Sequence, residues 1–238
     1  MKYFSGLIIR IAVCAFCFSP SWTLASDSVV HHPAPKDPIF VKKDLYTTVK
    51  AKLSAPPQPG SPAQKRDESG LLSSQKTRSQ ADCDAAKSEV MVSLGNFFGE
   101  ASSPLKKTEI ERLSPFFEQL RNDADYFIQR LKVDFPRQRP FLYLKDLTPC
   151  VPKEVTGAYP SGHAAISALY AQVLSDLFPQ HKSYFAQRAN VIAEHRVVAG
   201  MHHPSDIEAG STLGRFIYEE FKKSTKYREA FERAKNSL

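Results

Sequence analysis

Residues 161–178 read SGHAAISALYAQVLSDLF, and their spacing decides the architecture. Ile166, Leu169, Tyr170, Val173, Leu174 and Leu177 fall on one face of a helix with 3.6 residues per turn. Ser161 stands where the first turn begins and is a good N-cap. The same periodicity recurs on either side. Residues 82–98 run without proline and carry Val90, Leu94, Phe97 and Phe98 at helical spacing. Residues 108–132 repeat it with Ile110, Leu113, Phe116, Phe117, Leu120, Phe127 and Leu131. Residues 183–200 and 204–222 are predicted helices, and in the latter Gly210 and Gly214 lie one turn apart, which suits close packing. The pattern shows neither clear two-residue alternation nor an internal repeat. The chain therefore reads as an all-α helical bundle, with the charged tail from Lys222 onward as a solvated helix.

The 238 residues suit one domain with extensions. A 42% hydrophobic and 24% charged composition excludes a wholly disordered chain and a multi-span membrane protein. Seven of the 17 prolines lie in residues 26–66, which predicts an extended proline-rich arm before a helical domain over 67–238. Ile39-Phe40-Val41 could dock that arm. Residues 133–160 hold five more prolines and read as a long functional loop. Residues 1–25 combine Lys2, an apolar run from Leu7 to Phe18, Pro20 and the small-residue site Thr23-Leu24-Ala25. They look like a secretory signal peptide, too short to anchor in a bilayer; a first core helix is the alternative. Cleavage after Ala25 would remove Lys2 and Arg10 and no acidic residue, lowering the formal charge of +7 by two. The remaining mild excess of cations favours anionic small molecules. Without a basic stripe interleaved with aromatics, nucleic acid is not an expected partner. Cleavage would also remove Cys14 and Cys17. Cys83 and Cys150 then read most simply as one disulfide, contributing about 4 kcal/mol in the chain-entropy treatment, with two buried thiols as the alternative. The expectation is a periplasmic or secreted protein without a stable membrane anchor; a homo-oligomer is compatible with it.

Three short segments carry the candidate chemistry. The first is Lys132 followed, after six residues, by Arg139-Pro140. The second is Pro160-Ser161-Gly162-His163, where a helix N-terminus offers free amides and a positive dipole end to an anion. Gly162 lets a ligand approach the backbone, and His163 adds a proton donor at the rim. The third is Arg196, His202 and Asp206. Pro204 suits the first helical position, so His202 lies just before a helix and Asp206 in its first turn. A carboxylate there can accept from one imidazole nitrogen and make the other a better nucleophile. Lys132, Arg139 and Arg196 supply the cations that a phosphoryl group in transfer requires. A metal site built from His202, His203 and Asp206 lacks further ligands nearby, and no Cys/His zinc pattern is present.

Together these segments resemble the phosphate site of the type 2 phosphatidic acid phosphatase and vanadium haloperoxidase superfamily. Within it the chain looks like the bacterial secreted non-specific acid phosphatases of class A. The resemblance covers roughly residues 40–215, including Pro56-Pro57, Arg139-Pro140-Phe141, Thr148-Pro149-Cys150 and Ala158-Tyr159. It implies an all-helical fold and a site without metal or cofactor. It also implies roles: Lys132, Arg139, Ser161, Gly162 and Arg196 holding phosphate oxygens, His202 as nucleophile, His163 as general acid and then base, and Asp206 orienting His202. The implied activity is hydrolysis of small phosphomonoesters through a phosphohistidine. A lipid phosphate or pyrophosphate phosphatase of the same superfamily is one alternative, and a non-catalytic exported phosphate-binding protein another. One departure stands out: His195 occupies the place, just before Arg196, where the family usually has serine.

Overall fold

The computed structural model describes residues 35–238, together with the backbone of Val29–Val30. The expected leader, residues 1–25, lies outside the described residues. A two-residue strand β1 (Val29–Val30) is followed by helices α1 (Tyr46–Ala51), α2 (Pro62–Thr77), α3 (Gln80–Ser88), α4 (Leu94–Phe98) and α5 (Lys107–Asp134). A loop containing a 3-10 turn at Pro140–Leu142 and strand β2 (Lys153–Glu154) leads to α6 (Gly162–Leu177), α7 (Lys182–Val198), α8 (Pro204–Lys223) and α9 (Thr225–Lys235). The strands pair in parallel, Val29 with Lys153 and Val30 with Glu154. The described fold is thus all-α but for this ribbon.

Helix α6 is the axis of the bundle. From His163 to Leu174 every residue except Gln172 is buried, as expected of a helix apolar all round. Its large residues Ile166, Leu169, Tyr170, Val173 and Leu174 enter one core with Leu113, Phe117, Leu120, Phe127 and Leu131 of α5. Its small side meets α8. A Cβ at Gly210 would stand 2.4 Å from the Ser161 carbonyl oxygen, and one at Gly214 would stand 2.0 Å from that of Ala165. Any side chain there would push the helices apart, so the glycine pair sets their separation. The close crossing brings the two N-termini together, with the Ser161 amide donating to the Asp206 carbonyl at 3.0 Å.

The structure departs from the sequence expectations in three places. The single helix expected over 82–98 is two, α3 and α4. Ser93 restarts the helix by accepting the Asn96 amide at 3.1 Å. In the break, Glu89 turns fully inward onto Arg188 and His195, a contact that a continuous helix is not built around. Second, the arm is not extended throughout: α1 lies within it, and α2 begins at Pro62 behind the N-cap Ser61. Of its apolar group, Phe40 docks against Phe116, Phe221 and Tyr227, while the amides of Ile39 and Phe40 donate to the Asp123 carboxylate at 2.8 and 2.7 Å. Third, the tail is not a solvated helix. Tyr227, Ala230 and Ala234 of α9 are buried in the main core, because the few apolar residues in this charged segment share one face. Cys83 and Cys150 are disulfide-bonded, tying α3 to the loop before α6.

Gly214→Ala should therefore cost at least about 1–3 kcal/mol in equilibrium urea unfolding, the range for overpacking, because the obstacle is backbone and not a mobile side chain. A loss under about 0.5 kcal/mol would contradict the close crossing.

Candidate active site

At the start of α6, the Ser161 hydroxyl accepts the Ala164 amide at 3.4 Å. A Cβ at Gly162 would meet Ile128 at an ordinary 3.7 Å, so protein packing does not demand glycine there. His163 is buried, and its Nε2–H donates to the Glu89 backbone carbonyl at 3.1 Å. Burial, and then the charge of Arg196, push its pKa well below that of a free imidazole.

At the start of α8, the residues expected to act together are adjacent, with a different internal pairing. Asp206 Oδ2 accepts the His203 amide at 2.8 Å and His203 Nδ1–H at 2.9 Å. His202 Nδ1 stands 3.6 Å from the same oxygen, beyond hydrogen-bonding distance, and has no other partner among the described residues. The carboxylate that was expected to orient His202 is thus held more tightly by its neighbour, which N-caps the helix. On the other side of the ring, Arg139 Nη1 stands 2.7 Å from His202 Nε2. A guanidinium can only donate, so Nε2 presents its lone pair and the neutral ring carries its proton on Nδ1, facing Asp206. Burial, and then Arg139, pull the His202 pKa down to about 3 against the opposing pull of Asp206. Burial alone would raise the Asp206 carboxyl, but the facing His202 and His203 imidazoles outweigh it and hold it well below the carboxylate range.

Lys132, Arg139 and Arg196 converge on this corner, buried and already engaged. Lys132 Nζ donates to the Gly157 carbonyl, and burial, helped by the charge of Arg139, lowers its pKa to about 7. Arg139 donates to the carbonyls of Thr156 and Met201 at 2.9 and 3.1 Å and to the Glu154 carboxylate. Arg196 donates through Nη2 to Glu154 at 2.8 Å. Its Nε and Nη1 are buried with no partner among the described residues, and orphaned buried donors are rare outside functional sites. A cavity of about 380 Å³ is lined by Lys132, Thr156, Gly162 and His163 and by Val90 and Met91 of the α3–α4 break; Arg139, Arg196 and His202 are not among its lining residues. A larger hollow of about 780 Å³, bounded by Pro57, Arg137 and Tyr143, shares none of that lining.

Sequence reasoning missed several participants. Arg137 donates to Asp206 Oδ1 at 2.6 Å, to Asp67 Oδ2 at 2.7 Å and to Gln64. The Ser205 amide donates to Asp67 at 3.1 Å, and Tyr143 Oη lies 2.8 Å from His203 Nε2. Arg137, two residues before Arg139, offered a faint signal in its charge; Asp67, on another helix, offered none. His195 turns to Glu89. Its Nδ1 meets the Glu89 carboxylate at 2.9 Å, so it braces the residue whose backbone carbonyl holds His163. Among the described residues, no cluster of three or more His, Cys, Asp or Glu side chains is arranged to hold a metal ion.

Residues 124–228 match the profile of the PAP2 superfamily. The chain is 29% identical over 168 residues to an acid phosphatase of Zymomonas mobilis, spanning 66% of this chain and 63% of that protein. It is 25% identical over 245 residues to a non-specific acid phosphatase of Providencia stuartii, spanning 95% and 96%. A non-specific acid phosphatase of Salmonella typhi is 35% identical over 100 residues, 40% of each chain. Two solved structures share the fold. One is a bacterial vanadium-dependent iodoperoxidase (TM-score 0.57, 16% identity, 73% of this chain and 52% of that one). The other is a transmembrane PAP2-type phosphatidylglycerolphosphate phosphatase from Bacillus subtilis (TM-score 0.51, 20% identity, 75% and 91%).

Arg137→Met keeps the aliphatic stem but strands two buried carboxylates, Asp67 and Asp206. It should cost about 3–5 kcal/mol, the usual loss when one partner of a buried ion pair is removed. Chemical denaturation of the variant measures it, and a loss under about 1 kcal/mol would remove Arg137 as the counter-charge of Asp206.

Proposed function

We propose that this chain, which carries a PAP2 superfamily domain over residues 124–228, is an exported acid phosphatase that hydrolyses small phosphomonoesters through a phosphohistidine. The observation that carries this reading is the placement of the His202 ring: buried, with its Nε2 2.7 Å from Arg139 Nη1, in a corner where three buried cations meet a helix N-terminus. The acid phosphatase names of the relatives support the same activity. Export rests on the leader-like residues 1–25 and fits the Cys83–Cys150 disulfide, a bond that persists in oxidising compartments. No helix among the described residues is long and apolar enough to cross a membrane.

In this mechanism Arg139, Arg196, Lys132 and the amides that open α6 hold the phosphoryl oxygens. They neutralise charge that spreads over those oxygens in the transition state. As the phosphoryl group seats, Arg139 Nη1 turns its hydrogen bond from His202 Nε2 to a phosphoryl oxygen; the freed Nε2 lone pair attacks phosphorus, an N–P bond forms and the P–O bond to the leaving group breaks. The Nδ1–H of His202, now on a charged ring, is stabilised by Asp206. His163 donates a proton to the departing alkoxide. It is neutral beforehand, and the negative charge of the seated phosphoryl group raises its pKa toward the donating form. His163 then takes a proton from water, which attacks phosphorus and releases His202 and inorganic phosphate.

His202→Ala should abolish turnover of p-nitrophenyl phosphate. Wild-type enzyme quenched during turnover should carry acid-labile, base-stable phosphate on His202. Substantial turnover by the variant ends the nucleophile assignment.

The alkaline limb of kcat/KM, which reports the free enzyme, should belong to Lys132. Its ammonium is charged below about pH 7 and neutral above, so capture of a phosphate dianion weakens as pH rises through that value. Lys132→Arg supplies a cation that stays charged and should move this limb upward by about one pH unit or more. An unmoved limb assigns it to another group.

A further inference from the structure

The two guanidiniums assigned to the phosphate already share an anion. Glu154 is buried, and its carboxylate is split between them: Oε2 accepts from Arg139 Nη2, and Oε1 accepts from Arg196 Nη2 at 2.8 Å. Neither the three motifs nor the helical periodicity pointed to this residue. It sits on β2, in the loop between the disulfide at Cys150 and the start of α6, and its neighbour Val155 is 61% exposed. The carboxylate therefore reaches the site from a short surface strand rather than from the helical core. It also lines the same cavity as Lys132 and His163.

A carboxylate and a phosphoryl group present the same fork-matched oxygens to guanidinium. Two anions cannot both take the facing Nη2 donors of Arg139 and Arg196. The carboxylate, however, leaves part of the site unused. Arg196 Nε and Nη1 remain buried without a partner among the described residues, and a phosphoryl group has a third terminal oxygen with which to engage them or the α6 amides. We propose that Glu154 is a displaceable internal anion of the phosphate site. Its carboxylate keeps Arg139 and Arg196 from repelling each other and exchanges for the substrate's phosphoryl group. Because incoming anions must out-compete a carboxylate already in place, the exchange selects tetrahedral phosphoryl dianions over carboxylate ligands. Glu154 on this account sets affinity and selectivity and touches no reacting atom. The inference rests on the phosphatase reading above.

The test is Glu154→Gln, which keeps the shape and removes the charge. Inhibition by inorganic phosphate and the KM for p-nitrophenyl phosphate should both tighten by about tenfold, the scale of one charge-assisted hydrogen bond, while kcat changes by a smaller factor. Inhibition by acetate should also become measurable. Inorganic phosphate should raise the Tm of the variant by more than it raises that of the wild type, because only the variant's arginines lack a counter-anion. Should Glu154→Gln not fold, Glu154→Asp keeps the charge but cannot span both guanidiniums, and its phosphate inhibition should tighten in the same direction. Unchanged or weaker phosphate affinity in a folded variant, with the wild type active, overturns the inference and makes Glu154 a fixed structural anchor. A wild type that neither hydrolyses p-nitrophenyl phosphate nor gains Tm with inorganic phosphate overturns the phosphatase reading, and the inference falls with it.

Discussion

Two helices touch backbone to backbone where Gly210 and Gly214 of α8 face Ser161 and Ala165 of α6, and the candidate site exists because of that contact. A side chain at either glycine would separate the helices and with them their N-termini. Held together, the two N-termini place Ser161, Gly162 and His163 from one helix beside His202, His203 and Asp206 from the other. Two positive dipole ends then face the same small volume. Arg139 and Arg196 add to that field, so the corner is suited to an anion before any ligand is considered.

Concentrating positive charge in a buried corner has a cost, and the protein meets it with placed carboxylates. Glu154 lies between Arg139 and Arg196, Asp206 and Asp67 flank Arg137, and Glu89 lies against Arg188 and His195. Arg137, Arg139 and Arg196 are thus each paired with a buried carboxylate, which is the condition under which buried charge is tolerated. The pairing also tunes the titratable groups. Burial and Arg139 keep His202 and Lys132 from holding a proton as tightly as they would in water, while Asp206 stays ionised. The result is a neutral imidazole next to a fixed negative charge.

The α3–α4 break shows how an irregular segment serves a regular bundle. It carries Glu89 inward, where the side chain meets His195 and Arg188 and the backbone carbonyl meets His163. The same break supplies Val90 and Met91 to the wall of the cavity. His195, which departs from the serine usual in the family this sequence resembles, thus reaches His163 only through Glu89.

The amino-acid sequence by itself determined the helical class, most of the helix positions and the residues gathered at the two N-termini. These are local properties: a 3.6-residue apolar period, a serine cap before Ala164, a proline at the first position of α8. Tertiary structure alone decided what those residues touch. Glu154 meets arginines 15 and 42 positions away, and Asp67 meets Ser205 across 138. Asp206 bonds His203 more closely than His202, because the capping geometry of α8 turns its carboxylate toward the residue three before it. The break at Glu89 and the burial of α9 escaped local periodicity for the same reason. Periodicity reports which face of a segment is apolar, whereas the partner of a buried charge is set by how distant segments pack.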